Sequence, residues 1–169
     1  MDQNFLIAFD WTMQWEDPER QYAQVPDPGG FAIAGINSNS WPSEFDLIAN
    51  MPQDDRAQPV QQFYADHFWT PWLAQVASVE VSKRVYDAGV NMGLGTAAKI
   101  FQQAMNANGA ALEVDGQIGP LSLAYANSAD PATIVAAFQQ VRSYHYRNIV
   151  ANNPSLARYL AGWIARAMA

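Results

Sequence analysis

Between Asp17 and Ser40 the chain holds Pro18, Pro26, Pro28, Gly29, Gly30 and Gly35, and it closes on the run Asn37-Ser38-Asn39-Ser40. No helix runs through such a stretch, because each proline lacks a backbone donor and the glycines favour turns. Elsewhere the apolar residues recur at helical spacing. Any sheet is therefore confined to a small lobe at about residues 17–40, irregular or a β-hairpin, with a short hairpin expected around residues 31–36. The fold class that follows is mainly α, and α+β only through that lobe: a helical bundle with one irregular insertion. Long irregular segments inside compact chains are uncommon and often functional, so this lobe is the first place to look for a site.

The helical reading begins at residues 3–15, where Leu6, Phe9 and Met13 share a face widened by Phe5 and Trp11. Pro18 ends it near Trp15, since it disfavours helical geometry at Asp17. Residues 59–67 place Val60, Phe63, Tyr64 and His67 at i, i+3, i+4 and i+7. Residues 79–92 repeat Val81, Val85, Ala88 and Met92 on one face and Glu80, Arg84, Asp87 and Asn91 on the other. A shorter helix spans 97–105, and Gly119-Pro120 opens another. The longest helix is expected over 132–150 with Ile134, Phe138, Val141, His145 and Ile149 inward. Ser155 is expected to cap a last helix, whose Trp163 packs on Phe138 or Val141.

Composition excludes whole classes of chemistry. There are no cysteines and two histidines, His67 and His145, in 169 residues. Thiol catalysis, zinc-thiolate sites and multi-histidine metal sites are thereby disfavoured, and no metal or organic cofactor is implied. The net charge of −7 disfavours electrostatic capture of nucleic acid. No apolar run approaches the ~18 residues of a membrane helix, so no membrane insertion is expected. The start, Met1 to Ile7, lacks a basic segment followed by a long apolar one, so no signal peptide is read there.

Acidic residues cluster where the first helix ends: Glu16, Asp17 and Glu19, with Asp27 in a Pro-Asp-Pro-Gly-Gly turn. A carboxylic acid at a helix C-terminus meets the negative end of the macrodipole, which disfavours its ionised form and suits a general acid. Asp27, in a solvated turn, is a plausible ionised partner. Two carboxylates in contrasting environments are the usual means of cleaving glycosidic bonds, and ordinary surface acids are the alternative reading. Asp87 and Asn91 lie one turn apart and read either as the wall of a sugar cleft or as a solvated ion-pair stripe with Glu80 and Arg84. His145 reads as a core histidine.

Several short motifs, in order along nearly the whole chain, resemble the glycoside hydrolase family 108 lysozymes. They are Trp15-Glu16-Asp17, Asp27-Pro28-Gly29-Gly30 with Gly35-Ile36, and Phe63-Tyr64 through Phe68-Trp69. Tyr86-Asp87-Ala88-Gly89-Val90-Asn91-Met92-Gly93 follows, then Asp115-Gly116-Gln117-Ile118-Gly119-Pro120, Asn153-Pro154-Ser155 and Gly162-Trp163-Ile164-Ala165-Arg166. The resemblance implies a lysozyme-like fold, with a catalytic region over residues 1–93 and a helical peptidoglycan-binding-like region over 94–169 packed as one unit. It implies a muramidase that cleaves the β-1,4 bond between N-acetylmuramic acid and N-acetylglucosamine. Glu16 then falls on the general acid and Asp27 on the residue that stabilises charge or activates water. Tyr64, Trp69, Asp87 and Asn91 fall along the substrate cleft. The implied partner is the glycan strand of peptidoglycan, acted on by a monomer at the cell wall or periplasm after release or secretion, as for a phage endolysin or an antimicrobial enzyme.

The chain departs from that family's pattern in three places. Glu16-Asp17-Pro18-Glu19 stands where many members have Glu-Gly-Gly-Tyr. The loop to Asp27 is longer, which makes Glu19 a register alternative. Ala32 occupies the place of a frequent threonine, so Asp27 holds water alone unless Asn37 or Ser38 reaches in. That last departure leaves two further readings: a non-catalytic peptidoglycan-binding or secretion-related protein of the same fold, or a lytic transglycosylase.

Overall fold

Asp2 opens the first helix by accepting the Asn4 amide at 2.8 Å, so one orphan donor of the first turn is satisfied by the side chain of the N-cap. The computed structural model describes residues 2–169, which divide into two packed units, residues 2–70 and 71–169.

The first unit holds α1 (Gln3–Glu16), β1 (Gln24–Asp27), β2 (Gly30–Ile33), β3 (Ile36–Asn37), α2 (Pro42–Ala49) and α3 (Ala57–Phe68). The lobe is a three-stranded antiparallel meander in the order β1-β2-β3, rather than a lone hairpin over 31–36. Asp27 pairs with Gly30 across the first turn, Val25 with Ala32, and Ala32 in turn with Asn37. Since successive strand residues face opposite ways, Val25, Asp27, Ala32 and Asn37 share one face of the sheet. Ile33 and Ile36 point the other way, buried with Phe45 and Ile48 of α2. The remaining core is Phe5, Phe9 and Met13 from α1 against Val60, Phe63 and Tyr64 from α3, the faces that the helical spacing specifies.

The second unit contains α4 (Val79–Met92), α5 (Leu94–Ala107), α6 (Pro120–Ser128), α7 (Pro131–Asn152) and α8 (Leu160–Met168). α4 packs on α5 and α7, so by packing it goes with the second unit. Val81, Val85, Phe101, Met105, Ile134 and Phe138 form the apolar centre. The inward face of α7 is rotated from the apolar reading by about one residue: Arg142, Ser143 and Tyr146 are buried. Val141 and His145 are half-buried beside them, and burial lowers the pKa of the His145 imidazole. The last helix starts later than expected, because Pro154–Tyr159 forms a 3-10 turn before α8. Ser155 donates to Asn153 there instead of capping it.

Candidate active site

Glu16 is the last residue of α1, half-buried, and its carboxyl lies against the turn between β2 and β3. Gly35 makes that approach possible. It has φ +81°, and a Cβ placed on it would stand 2.7 Å from Glu16 Oε2 and 2.8 Å from the Tyr64 hydroxyl. The carboxyl of Glu16 and the phenol of Tyr64 thus converge on one backbone position. Tyr64 donates to the Ala34 carbonyl at 2.8 Å, which ties α3 to the same turn.

Glu16 also lines a cleft of about 210 Å³ with Asp17, Pro18, Glu19, Gln21, Ala23, Val25 and Ala34. One wall of that cleft is an unusual turn. Arg20 and Tyr22 have φ of +54° and +50°, and the Asp17 carboxylate holds them by accepting the Gln21 and Tyr22 amides at 3.2 and 2.7 Å. Gln53 Nε2 donates to the Gln21 carbonyl at 2.8 Å. The buried Arg56 spreads its guanidinium over the carbonyls of Met51, Tyr22 and Ala49 at 3.2, 3.0 and 2.9 Å. Arg56 and Gln53 carry no periodic or motif signal, so sequence reasoning passes over them. Glu19, the register alternative, is exposed in the same cleft and accepts from its neighbour Gln21 at 2.6 Å.

Asp27 ends β1, two residues beyond Val25 on the same sheet face, which is about 7 Å along the strand. Its Oδ2 accepts a hydrogen bond from the Asn37 side-chain amide. Asn37 is in turn fixed, because its Oδ1 accepts the Asn39 and Ser40 amides at 2.8 and 3.2 Å. The group that reaches Asp27 across the sheet is therefore Asn37. Ser38 instead accepts the Phe31 amide at 3.1 Å. Ala32 pairs with Asn37 on this same face, so a side chain there stands among the groups that surround Asp27.

The other four residues expected at the site behave differently. Tyr64 is 2% exposed, packed on Phe9, Phe63 and Phe68, so it offers no ring face to a sugar and acts on the turn beside Glu16. Trp69 sits at the other end of α1. Its indole donates to Asp2 at 3.1 Å and its ring meets Phe5 edge-on at 5.8 Å. A 14-residue helix is about 21 Å long, so Trp69 is remote from Glu16. Asp87 is 0% exposed and does not form a solvated wall. Arg166 binds it with two nitrogens at 2.8–3.1 Å, and Arg142 Nη2 approaches at 2.8 Å. Asn91 is exposed, and its side-chain oxygen accepts from Tyr146 at 2.5 Å. Burial raises the pKa of the Tyr146 phenol, which keeps it protonated as that donor.

Among the described residues no helix is long and apolar enough to cross a membrane, and no group of three acidic, histidine or cysteine side chains is arranged to hold a metal. The candidate site is a pair of carboxyl groups in one unit, each held by the same small sheet. One sits at a helix end against a glycine, and the other is braced by an amide.

A substitution at Gly35 tests this arrangement. Gly35→Ala imposes a left-handed conformation on a residue with a Cβ, at a cost of about 1–2 kcal/mol. It also drives a methyl group into the Glu16 carboxyl and the Tyr64 hydroxyl. We therefore expect Gly35→Ala to lower the melting temperature and to displace the Glu16 carboxyl from this turn. An unchanged melting temperature would show that the turn does not constrain Glu16 in this way.

The family model described as glycosyl hydrolase 108 matches residues 9–93, and one described as a predicted peptidoglycan domain matches residues 96–168. No curated protein matches the chain. The solved structure of SagA from Brucella abortus is similar, with a TM-score of 0.69 at 19% identity, covering 99% of this chain and 91% of that one. At that identity the likeness bears on the fold, and its extent covers both units.

Proposed function

Since the chain belongs to the glycosyl hydrolase 108 family, we propose that it is a muramidase, cleaving the β-1,4 bond between N-acetylmuramic acid and N-acetylglucosamine. The family and the peptidoglycan domain together make it a glycoside hydrolase acting on peptidoglycan, with its place of action at the cell wall. Glu16 acts as the general acid. It gives its proton to the glycosidic oxygen as the bond to the anomeric carbon breaks, and water supplies the hydroxyl that completes the sugar. Asp27 is the second carboxylate. With Oδ2 held by Asn37, its other oxygen is left to orient that water and take its proton, or to oppose the positive charge developing on the ring.

The observation that carries this reading is the Glu16 carboxyl, held over Gly35 on the wall of an open cleft. Digestion of purified peptidoglycan followed by mass analysis of the fragments tests it. Fragments with a hydrated N-acetylmuramic acid reducing end are expected. Fragments lighter by one water, carrying a 1,6-anhydro ring, would make the chain a lytic transglycosylase, and no soluble fragments would make it a binding protein of the same fold.

The position of Ala32 adds a graded prediction. A threonine there puts a hydroxyl on the sheet face that carries Asp27 and Asn37, at a strand position where β-branched residues are well accommodated. One added hydrogen bond to a charged or reacting group contributes about 1.5–3 kcal/mol, so Ala32→Thr should raise turnover by about tenfold or more. The measurement is hydrolysis of purified wall by both proteins at matched folded concentration. An unchanged or lower rate would mean that Asn37 already completes the water site.

A further inference from the structure

Arg20 and Tyr22, in the wall of the Glu16 cleft, hold the left-handed backbone region although neither is glycine. Such a conformation persists only where the surroundings offset its energy, and here they do so from several sides. Within the segment, the Asp17 carboxylate accepts the Gln21 and Tyr22 amides. On α1, Asp10 accepts Arg20 Nη2 through its carbonyl at 2.9 Å and its carboxylate at 3.1 Å. From the approach to α3, Gln53 and Arg56 donate to the carbonyls of Gln21 and Tyr22. Residues 17–23 are therefore held from outside, in a shape that their own sequence does not favour.

Arg56 is the unusual member of this set. It is 8% exposed, and its donors go to three backbone carbonyls rather than to a carboxylate. Burying a guanidinium without a counter-charge is costly. Two of its nitrogens recover part of that cost at the C-terminal end of α2, where Nε and Nη2 reach Met51 and Ala49 at the negative end of the dipole. A lysine would serve there as well. The remaining nitrogen, Nη1, leaves α2 and binds the Tyr22 carbonyl at 3.0 Å. Only a planar fork of donors does both at once, so the wall, and not α2, explains an arginine at this position. Glu16 has separate support from Gly35 and Tyr64, whereas Glu19, Gln21 and Ala23 line the cleft from the segment that Arg56 holds.

We propose that Arg56 is a positioning residue: through the Tyr22 carbonyl it fixes residues 17–23 as the wall against which the glycan strand binds beside Glu16. The proposal rests on the muramidase reading for the identity of the ligand. It adds a residue that sets affinity and leaves proton transfer to Glu16.

The test compares Arg56→Lys and Gln53→Ala with the unaltered full chain, well below their unfolding midpoints. Affinity is read by calorimetric titration with soluble glycan strands from purified peptidoglycan, in the Glu16→Gln background, where the strands stay whole. Arg56→Lys keeps the charge but not the fork and should bind about tenfold more weakly, and Gln53→Ala about threefold. With Glu16 in place, KM should rise by similar factors while kcat stays within about twofold. Trypsin should also cut after Arg20 several-fold faster in both variants, as mass analysis of the fragments would show, because the released wall opens more often. If Arg56 serves only the fold, its replacement lowers the midpoint but leaves affinity, KM and cleavage after Arg20 unchanged, and that result would overturn the proposal. A fall in kcat at constant KM would overturn it too, by moving the effect to Glu16. Should Arg56→Lys not fold, Gln53→Ala decides, since Gln53 is exposed and its loss removes one tie to the same wall. Hydrolysis with unaltered affinity in the variants would sink this proposal alone. Weakened binding in the variants of a chain that releases no fragments would sink the muramidase reading alone.

Discussion

Glu16→Gln is expected to abolish peptidoglycan hydrolysis while leaving the melting temperature essentially unchanged. The amide keeps the shape of the side chain and its contact over Gly35, but it has no proton to transfer to the glycosidic oxygen. Positioned general acids contribute roughly 10²–10⁴-fold, and release of soluble fragments from purified wall should fall by that factor. Glu19→Gln is the comparison. Glu19 shares the cleft, but it is exposed and bonded to its neighbour Gln21, so its loss should change the rate little. The reverse outcome, with Glu16→Gln active and Glu19→Gln inactive, would move the acid by three residues along the chain.

The same pair of residues shows how far the site was legible in advance. Placing an acid at the end of α1 required only the helical spacing and the position of Pro18, and Glu16 does end that helix. The contact with Gly35 was not legible, because it joins residues far apart in sequence through a turn whose conformation no local pattern specifies. Asn37 lies between these cases. It was a candidate to reach Asp27 because it follows the Gly-rich segment, but the register that sets it opposite Ala32 belongs to the sheet. For Tyr64 the helical spacing points to the core and the family resemblance to the cleft, and it is buried. Aromatic rings serve cores and sugar platforms equally well, and only burial separates the two uses. Trp163 illustrates the same limit: expected to be largely buried on Phe138 or Val141, it is only half-buried, and its ring stacks on Tyr146 and Tyr159.

Helix periodicity predicted the elements of the second unit well and its buried charges poorly. Val81, Val85 and Ala88 identify the inner face of α4 correctly, and Asp87 is assigned to the outer one. The error is instructive. A helix packed against two others, as α4 is against α5 and α7, buries more than one apolar stripe, so a polar residue beside that stripe goes inside with it. Likewise Arg142 follows Phe138 by one turn and continues its buried row, although its charge argues for solvent. Two of the motifs noted in the sequence, one around Asp87 and one ending at Arg166, are joined across 79 residues by this ion pair.

Asp87→Ala is therefore expected to act on stability before it acts on turnover. It leaves the guanidinium groups of Arg142 and Arg166, 1% and 8% exposed, without their shared counter-charge. Breaking a buried ion pair from one side costs about 3–5 kcal/mol, because the remaining charge is desolvated and unpaired. Against a typical domain stability of 5–15 kcal/mol that is a large fraction, and it should appear as a lowered midpoint of denaturant unfolding. The damage should spread through the network, since Arg142 also donates to the Tyr146 hydroxyl at 3.2 Å and Tyr146 to Asn91. Replacing all three charged groups together by apolar residues of similar volume removes the unpaired charge as well as the pair. Such replacements are often neutral or stabilising, so the combined variant should recover much of the lost midpoint. Hydrolysis per folded molecule of Asp87→Ala, measured well below its midpoint, should stay close to that of the unaltered protein. Loss of hydrolysis at an unchanged midpoint would return Asp87 to the substrate cleft and would mean that its partners, Arg142 and Arg166, separate from it when the glycan binds.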